Sequence, residues 1–196
     1  MLVADGKFPD LGGNAEENSG EMINGELYYG DPMSFVPVIW RHLIRRFDVK
    51  SVLDVGCGLG YSTRWFAEQG LYTVGFDGLP YNVEHAVYPI YLHDIKNGAF
   101  VADRYFDMVW CCEVAEHIDN KYCESFLLSL CNGKLIAMTA APPGQPGYHH
   151  VNLQPNEYWI GNLERYGYKF LEEETKICKE LLSPGWFSGN GMLLIK

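Results

Sequence analysis

Two groups of residues in this 196-residue chain have the types and spacing to do chemistry. The first is Asp54 followed by Gly56, Cys57, Gly58 and Gly60. Glycine admits positive φ and lets main chain approach a ligand closely, so such a loop grips its ligand with backbone N–H groups. An acid ahead of the first glycine suits a ligand with a cationic or amine-bearing part better than it suits a pyrophosphate. Asp77 ends the next apolar run, where the two oxygens of a carboxylate can accept from both hydroxyls of a ribose. The second group is Glu113-Val114-Ala115-Glu116-His117 together with the pair His149-His150. If 113–117 form a helical turn, Glu113, Glu116 and His117 fall on one face at i, i+3 and i+4. With His150 they make a set of two carboxylates and two imidazoles suited to Mg²⁺, Mn²⁺ or Zn²⁺. An imidazole also has the intrinsic pKa to take a proton from a hydroxyl, so His117, His149 and His150 are the candidate catalytic bases.

These residues need a scaffold, and hydrophobic patterning supplies an alternating one. Val49 to Val55 is an apolar, β-branched run that stops at the glycines, and Ser62 to Glu68 continues as a helix. Runs over 71–78, 88–92, 105–114 and 134–139 read as further strands, with a helix over 117–131 between the last two. Ahead of the glycine loop, apolar positions 36, 39, 40, 43, 44 and 47 follow helical spacing. Pro142 to Gly147 is a loop by composition and follows the fifth strand, where open α/β sheets bind ligands. Pro155 opens a helix that Gly167 stops, 168–172 and 191–196 read as the last two strands, and 173–190 joins them. Residues 1–25, glycine-rich and poor in apolar side chains, read as a flexible arm ahead of a single domain over 26–196. Tyr28 and Tyr29, just past the arm, are lid candidates.

The string Asp54-Val55-Gly56-Cys57-Gly58-Leu59-Gly60 departs from the dinucleotide pattern G-x-G-x-x-G, which would need glycine where the chain has Tyr61. It resembles instead the first motif of the class I S-adenosylmethionine-dependent methyltransferases, and Phe106-Asp107-Met108-Val109 resembles the phrase that opens the fourth motif of that family. The resemblance covers roughly residues 30–196. It implies a Rossmann-like α/β fold, a seven-stranded mostly parallel sheet with an antiparallel last strand and helices on both faces. It implies S-adenosyl-L-methionine as cofactor, with Asp54, Gly56, Cys57, Gly58 and Gly60 around its amino acid part and Asp77 on its ribose. Asp94 would then meet the adenine amino group, Ile95 would pack on the ring, and Glu113 would complete the cofactor site. Glu113-Val114-Ala115-Glu116-His117 resembles the E-V-x-E-H phrase of small-molecule O-methyltransferases, those of ubiquinone biosynthesis among them. With a distant histidine it also resembles the metal site of RNA 3'-end 2'-O-methyltransferases.

Composition narrows the partners. The net charge of −10 and pI near 5.0 argue against a large phosphate-tracking surface and so against nucleic acid. Six cysteines at 57, 111, 112, 123, 131 and 178 form no C-x-x-C pair, which suits a reduced cytoplasmic setting. No apolar run is long enough for a membrane span. The tract His149-His150-Val151-Asn152-Leu153-Gln154 concentrates neutral donors and acceptors suited to reading hydroxyl groups. The sequence therefore points to an O-methyltransferase acting on a sugar, glycoconjugate or other small polar acceptor, with a divalent metal as a possible assistant. A catalytically silent binding subunit of the same fold and an RNA 2'-O-methyltransferase are the alternatives.

Overall fold

A computed structural model describes residues 21–23, 26–28, 32–182 and 185–196 of the chain. Glu21–Ile23 (β1) and Glu26–Tyr28 (β2) pair antiparallel. Residues 1–20, 24 and 25, most of the expected arm, lie outside the described residues, as do Tyr29 and the side chain of Tyr28. The first helix, Pro37–Phe47 (α1), begins on a proline, whose fixed φ suits that position, and ends at Asp48 in the left-handed region. It buries Ile39, Trp40 and Leu43, the face its spacing predicts.

A seven-stranded sheet follows, made of Ser51–Val55 (β3), Tyr72–Asp77 (β4), Tyr91–Leu92 (β5), Phe106–Cys111 (β6), Gly133–Met138 (β7), Lys169–Phe170 (β8) and Met192–Ile195 (β9). Its order is β5-β4-β3-β6-β7-β9-β8, and β9 runs antiparallel to both neighbours. This is the class I arrangement expected from the resemblance. The helices are Tyr61–Glu68 (α2), Pro80–Glu84 (α3), Cys123–Leu130 (α4), Asn156–Glu164 (α5), Glu172–Leu181 (α6) and Trp186–Asn190 (α7). None of the described helices is long and apolar enough to cross a membrane.

The period of two along each strand divides the core into two layers. Leu53, Val55, Val109, Ile136 and Met138 pack with Phe126 and Leu130 of α4 and Trp159 and Leu163 of α5. Their neighbours Val52, Met108, Trp110, Leu135 and Leu193 pack with Trp40 of α1, Trp65 and Phe66 of α2 and Phe187 of α7. Trp40 sits at the centre of the second layer, its ring centroid 5.0 Å from Trp65, 4.9 Å from Phe66 and 5.5 Å from Trp110. Across the same layer Glu174 of α6 accepts from Arg46 Nε of α1 at 2.8 Å and meets His42 Nε2 at 2.5 Å. Burial by itself would raise the Glu174 carboxyl, but the bonds from His42 and Arg46 outweigh it and the net shift is downward.

Three expectations are corrected. The third strand keeps only residues 91 and 92 of the expected 88–92, because it is an edge strand and Pro89 lacks the N–H a ladder needs. The helix expected over 117–131 starts only at Cys123: Ile118 is extended, and Asp119 caps a separate short turn by accepting from Lys121 N at 3.0 Å. The turn expected over 113–117 is not helical throughout, since Glu113 has φ 54° and only Ala115–His117 form a 3-10 turn.

Candidate functional site

The parallel strands β3, β4 and β6 end at one edge of the sheet, and there a cavity of about 490 Å³ opens. Asp54, Gly56, Cys57, Asp77, Asp94 and Ile95 line it from one side, and Glu113, His117, His149 and His150 from the other. Gly58, Gly60 and Glu116 are not among the residues that line it.

On the first side the polypeptide ties itself together before any ligand arrives. Asp54, 1% exposed, accepts from Ser62 Oγ at 2.6 Å and Thr63 Oγ1 at 2.7 Å, so the end of β3 is pinned to the first turn of α2. Burial pushes its carboxyl up to about 6, against the pull of those two hydroxyls. Between them Gly56, Gly58 and Gly60 all have positive φ. At Gly56 a Cβ would lie 2.5 Å from Val114 Cγ2, so glycine is required there by backbone conformation and by space. Cys57 is buried, and burial pushes its thiol well up, which leaves it an inert packing group.

Asp77, at the tip of β4, accepts from Gly58 N at 2.9 Å through one oxygen and from Leu79 N at 2.8 Å and Asn82 Nδ2 at 3.1 Å through the other. Burial raises its carboxyl. Three protein donors thus hold Asp77, two on Oδ1 and one on Oδ2, leaving one of its roughly four lone pairs, on Oδ2, for a ligand. Asn82, 2% exposed, is oriented by its bond to that carboxylate, and its Oδ1 is a buried acceptor without a partner. Asp94 accepts from Lys96 N at 2.9 Å, and Ile95 beside it is 6% exposed.

The second side is less completely bonded. Thr139 Oγ1 accepts from Glu113 N at 2.8 Å and donates to Glu113 Oε1 at 2.8 Å, which turns Glu113 toward the end of β7 and holds it at its positive φ. Glu116 is fully buried, and neither carboxylate oxygen has a hydrogen-bond partner. Burial, followed by the charge of Glu113, pushes its carboxyl up to about 9. Burial, followed by the neighbouring His150, lowers His117 to about 4. The two imidazoles lie edge to face with centroids 5.1 Å apart. His150 Nδ1 is 3.2 Å from the Gln145 carbonyl oxygen. A carbonyl only accepts, so Nδ1 carries the proton and Nε2 keeps its lone pair. Gly147 lies so close to this ring that a Cβ there would collide with it. His149 is exposed and has φ 51°.

Ligand-type atoms of Glu116, His117 and His150 lie within 4.8 Å of one another, and Glu113 is not in that group. The structure therefore gathers three of the four expected metal ligands. The two-carboxylate set is not assembled on helical spacing as expected: Glu113 Oε1 is bonded to Thr139, although its carboxylate still bears on Glu116. Asn152 also departs from expectation: its Nδ2 donates to the Ile118 carbonyl at 3.0 Å and its Oδ1 accepts from Gln154, so it braces the loop instead of reading hydroxyls. A second group of ligand types, His42, Glu174 and Cys178, sits on the α1–α6 side, where Arg46 already pairs with the carboxylate.

Sequence reasoning missed Asn82, Tyr122 and Trp186, which also line the cavity. Asn82 follows Asp77 by five positions, within the short helix that comes directly after β4, and was legible in principle. Trp186 opens α7, whose Asn190 donates to Gln145 at 3.1 Å across 45 positions, and no local pattern marks it.

Residues 34–140 match a family described as a methyltransferase domain. A ubiquinone biosynthesis O-methyltransferase of Rickettsia typhi is 34% identical over 86 residues, covering 40% of this chain and 34% of that protein. Its counterpart in Rickettsia felis is 29% identical over 192 residues, covering 91% and 73%. The chain thus spans about a third of the length of the one relative and about three quarters of the other. Among solved structures, a SAM dependent methyltransferase from Archaeoglobus fulgidus superposes with a TM-score of 0.53 at 17% identity, over 82% of this chain and 94% of that one.

Proposed function

This chain belongs to the class I S-adenosylmethionine-dependent methyltransferases, and from that premise we propose that it methylates a hydroxyl of a sugar, a glycoconjugate or another small polar acceptor. The observation that carries the reading is the single cavity joining the glycine loop and Asp77 to the His117–His150 pair. The O-methyltransferases among its relatives support oxygen as the methylated atom.

The cradle fits the cofactor. Gly56 to Gly60 form a close-approach loop, and Asn82 Oδ1 is an orphaned acceptor beside Asp77, where a diol could satisfy it. Asp77 and Asn82 would hold the ribose, Asp94 and Ile95 the adenine, and Gly56 to Gly60 the amino acid part. Bound S-adenosylmethionine supplies a methyl group already activated on a sulfonium. The protein's own contribution is to align the acceptor oxygen, exclude water and remove one proton. His150 suits the last task, because the Gln145 carbonyl fixes its tautomer and leaves Nε2 free to accept. His117, held neutral by burial, packs against it and fixes its orientation.

A metal-assisted version is favoured by the unpartnered Glu116 carboxylate beside the two imidazoles. Glu116, His117 and His150 would hold Mg²⁺, Mn²⁺ or Zn²⁺, and the ion would lower the pKa of a chelated acceptor hydroxyl. Incubation with labelled cofactor and a panel of sugars and phenols, read as a gain of about 14 mass units for a methyl replacing a hydrogen, tests the reaction. Transfer to no member would support the silent-subunit alternative, and salt-dependent RNA binding with methylation of RNA would support the other. Dialysis against EDTA separates the two versions: full turnover in EDTA leaves His150 acting alone.

A further inference from the structure

The cavity wall carries a charge pattern that bears on the acceptor, on the reading above that an acceptor hydroxyl lies beside His150. Asp54, Asp77, Asp94, Glu113 and Asp119 line it against a single lysine, Lys96. Lys96 follows Asp94 closely, its main-chain N–H is bonded to that carboxylate, and its ammonium acts on Asp119, helping the bonds from Lys121 to lower that carboxyl, so its charge is already matched by carboxylates of the wall. Among the described residues the lining around His117 and His150 contains Tyr122, Gln145 and Trp186 but no lysine or arginine. The nearest cation in sequence, Lys121, is not part of the wall, and its Nζ is paired with Asp119 Oδ2 at 3.2 Å. A cavity of about 490 Å³ must also take cofactor and acceptor together. That is at the small end of the roughly 300–1,000 Å³ of single-ligand sites, so an acceptor's charged group cannot stand far from this wall.

A carboxylate or phosphate entering here would give up water and meet, among the described residues, five carboxylates of the wall against the one ammonium of Lys96. We propose that the part of the acceptor entering the cavity is uncharged or cationic, and that carboxylated and phosphorylated acceptors are rejected. Neutral and cationic hydroxyl compounds lose no ionic hydration that the wall fails to replace, and cations gain from it.

Three catechols that differ only in a distal group test this: 3,4-dihydroxybenzaldehyde, dopamine and 3,4-dihydroxybenzoate. Glucose, 6-amino-6-deoxyglucose and glucuronate, which differ only at C6, form the matching sugar series. The full chain is assayed with S-adenosylmethionine and saturating Mg²⁺, so that any chelation of the common diol is the same throughout. The anionic member of the active series should show a kcat/KM at least about tenfold below the neutral one, and the cationic member should equal or exceed it. Asp119→Asn keeps a good cap for the turn at 120–122, removes one carboxylate and frees Lys121. It should narrow the gap in kcat/KM between the anion and its neutral analogue about threefold. An anion turned over as well as its neutral analogue, or an Asp119→Asn variant that does not narrow the gap, overturns the inference. Transfer to none of the six removes the acceptor reading and this inference with it, a result distinct from transfer to the anion.

Discussion

The two sides of the cavity are held by different means. On the cofactor side, Asp54 and Asp77 place their oxygens on Ser62, Thr63, Gly58, Leu79 and Asn82, so the loop is fixed by bonds within one βαβ unit. The acceptor side joins segments far apart in the chain, carries Glu113 and His149 at positive φ, and leaves both oxygens of Glu116 unbonded in the interior. Backbone strain and unmet buried polar groups are costly, and they persist where surrounding structure or a ligand compensates them. A site whose carboxylates are held by its own chain, with Asn82 Oδ1 left over for the ribose, suits an invariant ligand such as the cofactor. One left partly unsatisfied suits the ligand that gives the enzyme its specificity.

The sharpest way to break this contrast is on the cofactor side. Gly56→Ala places a Cβ against Val114 in a left-handed conformation, two costs of about 1–3 kcal/mol each. Affinity for S-adenosylhomocysteine by calorimetry should fall about 100-fold or more, and an unchanged affinity would show the loop to be less fixed than its bonds imply. Next in size, Asp77→Ala removes the anchor of Gly58 and the proposed ribose acceptor. That should cost about 1.5–3 kcal/mol, roughly 10- to 150-fold in affinity.

The same contrast explains what could be read from the sequence. The order of strands, the glycine loop, Asp54 and Asp77 were legible because each depends on neighbours within a single strand–loop–helix unit. Glu113 was misread as part of a helical turn because Thr139, 26 positions away, sets its conformation. Asn152 looked like a hydroxyl reader because its partner Ile118 is 34 positions distant. Trp186 reaches the cavity only because β9 runs antiparallel, which brings the helix before it to the carboxyl edge of β7. Long-range contacts leave no periodic trace in a sequence, and the acceptor side is made of them.

Glu116→Gln tests how unsatisfied that side is. With the folded pKa of Glu116 at about 9 and a reference of 4.5, the folded state keeps a proton that the unfolded chain has released. Stability from this group is therefore full below about 4.5 and is lost as pH rises through about 9. Glutamine cannot titrate. In EDTA, melting temperatures of the variant should gain on the parent steadily across that window, and parallel curves would mean that Glu116 is already compensated in the interior.

The smallest expected effect decides to which side Glu113 belongs. Thr139→Val keeps the shape of a fully buried side chain and removes the hydroxyl that both accepts from Glu113 N and donates to Glu113 Oε1. Losing this bracket lets a residue at positive φ relax, at a cost of about 1 kcal/mol. Because Glu113 stands outside the Glu116–His117–His150 group, its carboxylate is expected to serve the cofactor. The variant should then bind S-adenosylhomocysteine about fivefold more weakly and bind Mn²⁺ with unchanged affinity. The opposite result, weaker Mn²⁺ with the cofactor unaffected, would move Glu113 to the acceptor side and restore the four-ligand set that its rotation onto Thr139 now argues against.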